Sequence, residues 1–492
     1  MSRSTPKDIT KDPIQSLRSF FSEQNLSLKS DQIQSEPDTL KYYGKDWTTY
    51  YDIAPLAVFF PENNEQVVAI VKWALSLAAK WAATSTKDAS GAYRIGLVPS
   101  GGRTGLSGAA CALHGEVVVS FDRMNRILDF DEADMCVRLQ AGVVTETLQK
   151  FALEKGLYYP VDFAARGSSQ IGGNIATNAG GIKVVRYGLT RDWVMSLKVV
   201  TGSGELVEFN QALVKNATGY DFRHLFIGSE GTLGFIVEAE IKLAPPPPTL
   251  QVMVLAVPDL QNIMKVFSNF KKSLSVVAFE FFSEAALQKV IANTGLQRPF
   301  ATVSDYYVVC EVEKKNELEE ETLMQVFESC LEQGYIVDGA LAQSEAQAKS
   351  FWRLREDISE SLAKYSPYKN DISVRISKVP SLVQELDVLL KTAYPTWEVI
   401  WFGHIGDGNL HINILRPSGM SKEDFVQECR KVDEIVFACV GRHHGSISAE
   451  HGVGLSKKSF LKYTRTEAEI NWMREIKKIF DPEQILNPGK VF

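Results

Sequence analysis

The stretch that indicates the fold of this chain runs from residue 98 to residue 108 and reads VPSGGRTGLSG. It begins at the end of the apolar segment 95–98 and combines four glycines with two serines and a threonine. Glycines let backbone N–H groups converge on an anion without a Cβ in the way, and hydroxyl groups add further donors. A glycine-rich turn that only joins two strands has a similar composition, so both interpretations stay open for this stretch alone.

Two further loops before residue 245 have the same character. Residues 172–181 read GGNIATNAGG, and residues 228–234 read GSEGTLG. Three such loops in one half of the chain favour a large, phosphate-bearing cofactor. None of them has the pattern G-x-x-x-x-G-K-[ST], and none is a G-x-G-x-x-G that follows a strand and opens a helix. The pattern therefore argues against a nicotinamide dinucleotide in a Rossmann domain.

Histidines are concentrated near the other end of the chain, where five of the seven lie between His404 and His451. Imidazole and carboxylate are ligands for Zn²⁺ or a similar divalent metal, and three protein ligands leave a position open for substrate. Glycines between His404 and His411 disfavour a helix, so we expect a strand, a tight turn and a returning strand that brings both rings together. Glu450 could supply a third ligand and leave His451 free as a base. The alternative is that these are ordinary histidines in tight turns.

Composition limits the class of protein. At 492 residues the chain is too long for a single core, and its 45% hydrophobic and 23% charged content is typical of a globular protein. The net charge of −7 gives no reason to expect a nucleic-acid partner. The six cysteines include no C-x-x-C pair and are expected to be reduced, buried thiols. Neither a targeting segment nor a transmembrane segment is recognisable, so we expect a cytoplasmic protein.

Four consecutive prolines, Pro245 to Pro248, divide the chain, because neither a helix nor a central strand can include them. Before them the pattern predicts a helix from about Asn64, strands at 117–121 and 234–243, and a hairpin formed by 197–201 and 205–209. After them it predicts alternating strands and helices, which suggest a sheet with helices on one face. These are strands at 252–257, 278–281, 306–312 and from Asp371, and helices from Asp259 and Ser283, at 317–332, at 344–364 and at 466–480.

Taken together, these features resemble the flavin oxidoreductases of the vanillyl-alcohol oxidase type, in particular their D-2-hydroxy-acid dehydrogenase branch. The resemblance extends from about Tyr50 to Phe492. The segments that carry it are residues 98–106, 156–163, 172–186, 401–413, 446–454 and 487–490. It implies an α+β fold with four parts in order. These are an N-terminal extension and helix (1–50), a PCMH-type FAD-binding domain (51–245), an α+β cap with an antiparallel sheet (249–445) and a C-terminal segment that packs near the flavin (446–492).

The resemblance also implies which residues hold FAD. They are Pro99, Ser100, Gly101, Gly102, Arg103, Thr104, Gly105, Ser107, Pro160, Gly172, Gly173, Thr177, Asn178, Gly181, Gly234, Ile236 and Asn487. Some members of this type tether the flavin to a histidine in the first half. Here the first loop contains no histidine, and His114 lies beyond its end, so we expect FAD to be bound without a covalent link.

In the cap, the resemblance implies that His404, His411 and Glu450 bind Zn²⁺ or a similar metal and that His451 is the base. It places Arg355, Ser359, Lys369 and Asn413 on the substrate. A metal that binds a hydroxyl oxygen lowers the pKa of that hydroxyl, a histidine can take its proton, and a flavin can accept the hydride. The expected reaction is therefore oxidation of a D-2-hydroxy acid.

The expected substrate is a diacid. If the metal takes the α-carboxylate and the hydroxyl, then Arg355 and Lys369 are left without an anion, and two buried cations without a partner are costly. This predicts D-2-hydroxyglutarate, oxidised to 2-oxoglutarate, with D-lactate or glycolate as alternatives. The resemblance suggests an electron-transfer flavoprotein or a quinone as electron acceptor and allows a homodimer. Arg375 departs from the family pattern, which has an uncharged residue there; it would either extend the anion pocket or pair with Asp371.

Two other classes of function are alternatives for this sequence. A zinc hydrolase would use the metal to activate water, but the chain contains no H-E-x-x-H helix. A non-catalytic binding protein would not need the complete set of polar groups that this chain places around the expected metal site, which argues against that class. Both classes predict a colourless protein or one whose colour does not respond to a 2-hydroxy acid.

Overall fold

The computed structural model describes residues 13–48, 51–82 and 95–492, with only the backbone given for residues 79–82. The first strands form a four-stranded sheet and the next a five-stranded one. Their bounds are β1 Ile33–Gln34, β2 Ala57–Phe59, β3 Leu97–Ser100, β4 Val117–Ser120, β5 Ile127–Asp131, β6 Cys136–Gln140, β7 Val194–Thr201, β8 Leu206–Phe209 and β9 Gly234–Lys242. The spatial orders are β1-β2-β4-β3 and β5-β6-β9-β7-β8.

The third sheet has seven strands, all antiparallel to their neighbours, in the order β13-β10-β12-β11-β15-β16-β14. Their bounds are β10 Thr249–Val257, β11 Val276–Ser283, β12 Tyr306–Lys314, β13 Asp338–Leu341, β14 Tyr368–Ser373, β15 Val399–Gly403 and β16 Asn409–Ile414. The four prolines lie between β9 and β10. They therefore separate the two smaller sheets from the large one.

Fifteen α-helices lie in the described residues. They are α1 Pro13–Glu23, α2 Pro37–Tyr43, α3 Asn64–Ala82, α4 Thr145–Glu154, α5 Ile171–Thr177, α6 Val184–Tyr187, α7 Arg223–Phe226, α8 Leu260–Ser273, α9 Glu284–Thr294, α10 Glu317–Glu332, α11 Glu345–Glu356, α12 Ile358–Leu362, α13 Val379–Ala393, α14 Lys422–Arg442 and α15 Glu467–Phe480. Short 3₁₀ turns lie at Ser30–Gln32, Thr190–Trp193, Ala363–Tyr365, Ile376–Lys378 and Lys458–Tyr463. None of the described helices is long and apolar enough to cross a membrane.

Most elements expected from the sequence are confirmed, because caps and apolar periodicity determine them locally. Asp259, Ser283 and Thr466 each cap a helix by accepting a hydrogen bond from a backbone N–H group in its first turn. The expected hairpin forms from β7 and β8. All six cysteines are buried and free. The strand, turn and returning strand around the histidines are β15 and β16, in which Phe402 pairs with His411.

The cap differs from the expected arrangement, because helices cover both faces of its sheet. Side chains alternate along β10, so Met253, Leu255 and Val257 pack with α8, α10, α13 and α14 in one core. Val252, Val254 and Ala256 pack with α9, α11 and α12 in another. The expectation of helices on one face is therefore wrong; alternation of strands and helices along the chain cannot tell one face from two.

A second correction concerns the helix expected at 344–364. It breaks at Asp357, which ends α11 and begins α12 with φ −75° and ψ −1°. The strand expected from Asp371 begins earlier, at Tyr368, and ends at Ser373.

The C-terminal segment returns to the first half of the chain, as expected. The N–H group of Leu97 in β3 donates to the carbonyl of Ile485 at 2.7 Å, and the N–H group of Asn487 donates to the carbonyl of Leu97 at 2.7 Å. On the same segment, the Lys477 ammonium donates to the carbonyl of Thr232 at 2.7 Å. These bonds bring Asn487 next to the glycine loops.

Candidate active site

The first glycine loop lies along a groove that the other two loops also line. The expected FAD residues that line it are Pro99, Gly101, Gly102, Arg103, Thr104, Gly105, Ser107, Gly172, Gly173, Thr177, Gly234 and Ile236. The N–H groups from Gly102 to Ser107 donate to no acceptor in the part of the chain that the structure describes. A Cβ on Gly102 would lie 2.1 Å from the Ser168 carbonyl oxygen, so this close approach requires glycine. Free N–H groups in a row suit a pyrophosphate.

The other expected FAD residues, Ser100, Pro160, Asn178, Gly181 and Asn487, are not among the residues that line this groove. The Asn487 amide donates to the carbonyls of Ala109 and Glu230, at 3.0 and 2.7 Å. Among the described residues, no hydrogen-bond partner exists for the buried Asn487 Oδ1 or for Ser100 Oγ, and such atoms suit a polar ligand. Asn178 Oδ1 accepts from the N–H group of Arg191. Pro160 and Gly181 are buried, and Gly181 packs against Asp162.

Sequence reasoning missed four polar residues that line this groove: Asp46, Gln170, Asn174 and Glu230. The Asp46 carboxylate accepts from the N–H groups of Gly108 and Thr48. Asn174 lies inside the second glycine loop, and Glu230 lies inside the third. Their place in those loops is the signal that could have found them, whereas Asp46 and Gln170 carry no comparable pattern.

A second cavity, here called the catalytic cavity, contains the expected metal ligands, base and substrate residues. It is lined by His404, His411, Glu450, His451, Arg355, Ser359, Lys369 and Asn413, among others. Thr104, Gly105, Asn174 and Thr177 line both the groove and the catalytic cavity. The groove and the catalytic cavity therefore adjoin each other along these four residues.

Three imidazole rings converge on one carboxylate oxygen. The Nε2 atoms of His404, His411 and His451 lie 3.7, 3.7 and 3.6 Å from Oε1 of Glu450. Ligand atoms of His404, His411 and Glu450 all lie within 4.8 Å of one another. Two imidazoles and a carboxylate at this spacing fit a three-ligand site for Zn²⁺ or a similar metal. The tight turn that allows it needs Gly408, which has φ +87° and leaves no space for a Cβ.

The protonation of these groups follows from their neighbours. Burial lowers the pKa of His411 to about 3, so its ring is neutral and can act as a ligand. Burial opposes the charge on Glu450, but His404 and His411 lower its pKa to about 2. Burial also opposes a charged His404, but Glu280 and Glu450 raise its pKa above the ordinary value.

Glu280 was not expected from the sequence and orients His404. Its Oε1 lies 2.8 Å from Nδ1 of His404, so that ring nitrogen donates to the carboxylate and Nε2 is left to face Glu450. A carboxylate behind a ligating histidine is a common device for fixing the tautomer. Glu280 also forms an ion pair with Arg355 at 3.0 Å. The expectation that Arg355 lacks an anionic partner is therefore wrong.

Two buried carboxylates hold the loop that carries Glu450 and His451. Oδ2 of Asp371 accepts from the N–H groups of Ala449, Glu450 and His451, at 3.1, 3.0 and 3.1 Å. Glu230 accepts from the N–H groups of Val453 and Gly454, at 2.7 and 2.9 Å. Burial opposes the charge on Asp371, but His451, Lys457 and His411 lower its pKa well below the ordinary value. We call residues 449–454 the catalytic loop.

The expected substrate residues line the same cavity, next to the histidine cluster: Lys369 pairs with Asn413 in the strands that also carry Asp371 and His411. Asn413 is buried, and its Oδ1 has no hydrogen-bond partner among the described residues. Lys369 is exposed on the cavity wall rather than buried as expected, and it forms no ion pair with the described residues; desolvation by the surrounding protein lowers its pKa. Ser359 lines the cavity from α12, beyond the break after α11. Arg375 is exposed after the end of β14. It is not among the residues that line the catalytic cavity, and it forms no ion pair with Asp371, so neither expected role of Arg375 is found.

Comparison with known proteins gives concordant results. Residues 55–210 match the family described as "FAD binding domain", and residues 246–491 match "FAD linked oxidases, C-terminal domain". The chain is 52% identical to D-2-hydroxyglutarate dehydrogenase of Stutzerimonas stutzeri, over 94% of this chain and 96% of that protein. It is 53% identical to the protein of that name in Xanthomonas citri, over 94% of each.

A solved structure of p-cresol methylhydroxylase has the same fold. It superposes with a TM-score of 0.70 at 14% identity and covers 97% of this chain and 96% of that one. Together with the family matches, this confirms the α+β fold of vanillyl-alcohol oxidase type and the FAD-binding function expected from the sequence.

Proposed function

We propose that this chain, which belongs to the FAD-linked oxidase family and is a FAD-dependent oxidoreductase acting on a CH–OH donor, oxidises D-2-hydroxyglutarate to 2-oxoglutarate. One observation carries the proposal. The cluster of His404, His411, Glu450 and His451 lies in a cavity that adjoins the FAD groove and is also lined by Lys369. The relatives with 52% and 53% identity, which are named for this substrate, support it.

The chain's own residues hold the groups that react. When bound, FAD supplies the hydride acceptor. When bound at His404, His411 and Glu450, Zn²⁺ or a similar metal supplies Lewis acidity that lowers the pKa of the substrate hydroxyl. His451 takes the hydroxyl proton, and Asp371, 3.6 Å from its Nδ1, stabilises the charge that the ring gains. Asp371 also fixes the position of this ring through the backbone of the catalytic loop.

Lys369 selects the diacid in this proposal. Arg355 already has Glu280 as its partner, so the charge argument now depends on Lys369, which has no carboxylate near it in the described residues. A distal carboxylate would give this ammonium its counter-ion, and Asn413 would complete the contacts at the reacting end. Arg355 and Ser359 line the same cavity as Lys369. A monoacid such as D-lactate or glycolate has no group that reaches Lys369.

Other parts of the proposal come from the family resemblance. FAD is bound without a covalent link, which agrees with the exposed position of His114 outside both the groove and the catalytic cavity. The electron acceptor is an electron-transfer flavoprotein or a quinone. A homodimer and a cytoplasmic location stay predictions.

A substrate panel tests the proposal. Anaerobic flavin reduction would be measured with D-2-hydroxyglutarate, L-2-hydroxyglutarate, D-lactate and glycolate, for the wild type and for Lys369→Met. We expect D-2-hydroxyglutarate to have the highest kcat/KM. Lys369→Met should lower it by about 10- to 100-fold, the value of a lost charge-assisted contact, and leave D-lactate little changed. Lys364→Met, an exposed lysine nearby in the chain, is the control. Faster flavin reduction by D-lactate or glycolate would contradict the assignment of a diacid substrate. It would not contradict the flavin-dependent oxidation of a 2-hydroxy acid.

A further inference from the structure

A third cavity adjoins the catalytic cavity on the side of the catalytic loop. Leu106, Lys369, Asn370 and His451 line both cavities, so the two cavities adjoin each other. We call this third cavity the vestibule. Nothing in the reaction described above uses it.

The vestibule is strongly basic. Four cationic side chains line it, those of Lys369, Lys422, Arg430 and Lys457, against a single carboxylate, that of Asp433. Arg430 lies 3.8 Å from Asp433, and Lys457 lies 3.9 Å from Asp371, so these two charges are partly balanced.

Two of the four cations in the vestibule are not balanced. Lys369 and Lys422 have no carboxylate within 4 Å among the described residues, and Lys422 is exposed at the start of α14. Ser456 Oγ, buried in the same wall, has no hydrogen-bond partner in the described part of the chain and is free to donate to an anion.

The other sides of the catalytic cavity suit an anion less well. One side is the FAD groove, which the cofactor fills when bound. Another side is lined by Ala164, Ala165, Arg166 and Glu356. There Arg166 is paired with Asp162 at 2.9 Å, which leaves the Glu356 carboxylate as the unbalanced charge. A dianion approaching that side is repelled, whereas one approaching the vestibule is attracted.

We propose that the vestibule is the route by which the dicarboxylate substrate reaches His451 and the dicarboxylate product leaves. This rests on the proposed function, since the argument needs a doubly charged substrate. Lys422 forms the outer part of the route and attracts the anion without touching the reacting atoms. Lys369, at the boundary of the two cavities, then binds the distal carboxylate.

Charge reversal on each side of the catalytic cavity tests the route. The holoenzyme is mixed anaerobically with D-2-hydroxyglutarate at concentrations well below saturation, and the second-order rate constant for flavin reduction is measured at low and high salt. The variants are Lys422→Glu in the vestibule, Arg166→Glu on the other side, and Lys431→Glu, an exposed lysine of α14 that lines neither cavity.

We expect Lys422→Glu to lower this rate constant by about 3- to 10-fold at low salt, with most of the loss recovered near 0.5 M salt, where a charge about 10 Å away is screened. The limiting reduction rate at saturating substrate should stay unchanged. The route is overturned if Lys422→Glu behaves like Lys431→Glu, or if Arg166→Glu has the larger effect. If D-2-hydroxyglutarate fails to reduce the wild-type flavin, the proposed function itself fails, and that outcome is seen before any variant is compared.

Discussion

Glu280 contacts two of the side chains on which the proposed reaction depends. It receives a hydrogen bond from Nδ1 of His404 and forms an ion pair with Arg355. One carboxylate therefore fixes the tautomer of a proposed metal ligand and neutralises a cation in the catalytic cavity. The sequence could not reveal that Glu280 is the partner of Arg355. Glu280 lies 124 residues before His404, inside an otherwise apolar strand, and only the fold brings these residues together.

Glu280→Gln should weaken metal binding by about 10- to 100-fold, because the amide no longer fixes the neutral tautomer of His404. Metal affinity would be measured by competition with a chromogenic chelator, and FAD content would be measured in parallel. The matched control is Glu284→Gln, at the start of α9, whose carboxylate pairs with Arg298 outside the cavity. An unchanged metal affinity in Glu280→Gln would mean that His404 is not a ligand or is oriented by something else.

His451→Asn should slow flavin reduction by about 10²- to 10⁴-fold, the usual contribution of a general base. Metal and FAD content should stay as in the wild type, because the Asp371 hydrogen bonds to the backbone of the catalytic loop do not depend on this side chain. Loss of the metal in this variant would mean that Glu450 and His451 have exchanged roles.

Among the elements, the catalytic loop joins the two halves of the molecule. Asp371 in β14 belongs to the large sheet, and Glu230 belongs to the third glycine loop; together they accept hydrogen bonds from five of the loop's N–H groups. Because Glu230 also lines the FAD groove, the position of His451 is tied to the part of the chain that binds the cofactor.

Glu230 gives this connection a pH dependence. Burial raises its pKa to about 7 from an ordinary 4.5, against the opposing effect of two N–H donors. Because the pKa of Glu230 is higher in the folded than in the unfolded protein, its protonated form favours the folded state. This contribution to the free energy of unfolding is fully present below pH 4.5 and is lost as the pH rises through 7. At about 1.4 kcal/mol per pH unit, roughly 3 kcal/mol is involved.

The wild type should therefore lose its advantage in Tm over Glu230→Gln as the pH rises from 5 to 8. Melting curves of the two proteins across this range check the prediction, with Glu475→Gln on the surface of α15 as the control. A Tm difference that stays constant or grows with pH would show that Glu230 ionises normally in the folded protein.

The elements also show how far sequence reasoning reaches. The turn between β15 and β16 was predictable, because glycines near His404 and His411 exclude a helix and local geometry then brings the rings together. The partners Asp371, Glu280 and Glu230 were not predictable as such, because each lies far along the chain and only the folded sheets bring them near. The break at Asp357 was missed for a related reason: apolar periodicity continues through it, and tertiary packing places the break.

At the scale of the whole molecule, distant parts of the chain build one centre. The glycine loops of the first half line the groove. The β15–β16 hairpin of the large sheet supplies His404 and His411, and the catalytic loop supplies His451. The returning C-terminal segment brings Asn487 to the glycine loops, where its amide donates to the carbonyl of Glu230. The resemblance found in the sequence already ordered these parts along the chain. Only the structure shows that the groove and the catalytic cavity adjoin at Thr104, Gly105, Asn174 and Thr177.

The central claim is that the FAD groove and the histidine–glutamate cluster act on the same substrate molecule. The most direct test is the rate of anaerobic flavin reduction by D-2-hydroxyglutarate before chelation, after chelation and after Zn²⁺ is returned. We predict that chelation leaves FAD bound, slows reduction by at least about 10²-fold, consistent with several kcal/mol of charge stabilisation, and that Zn²⁺ restores the rate. A reduction rate that is unchanged after the metal has been removed would contradict the claim.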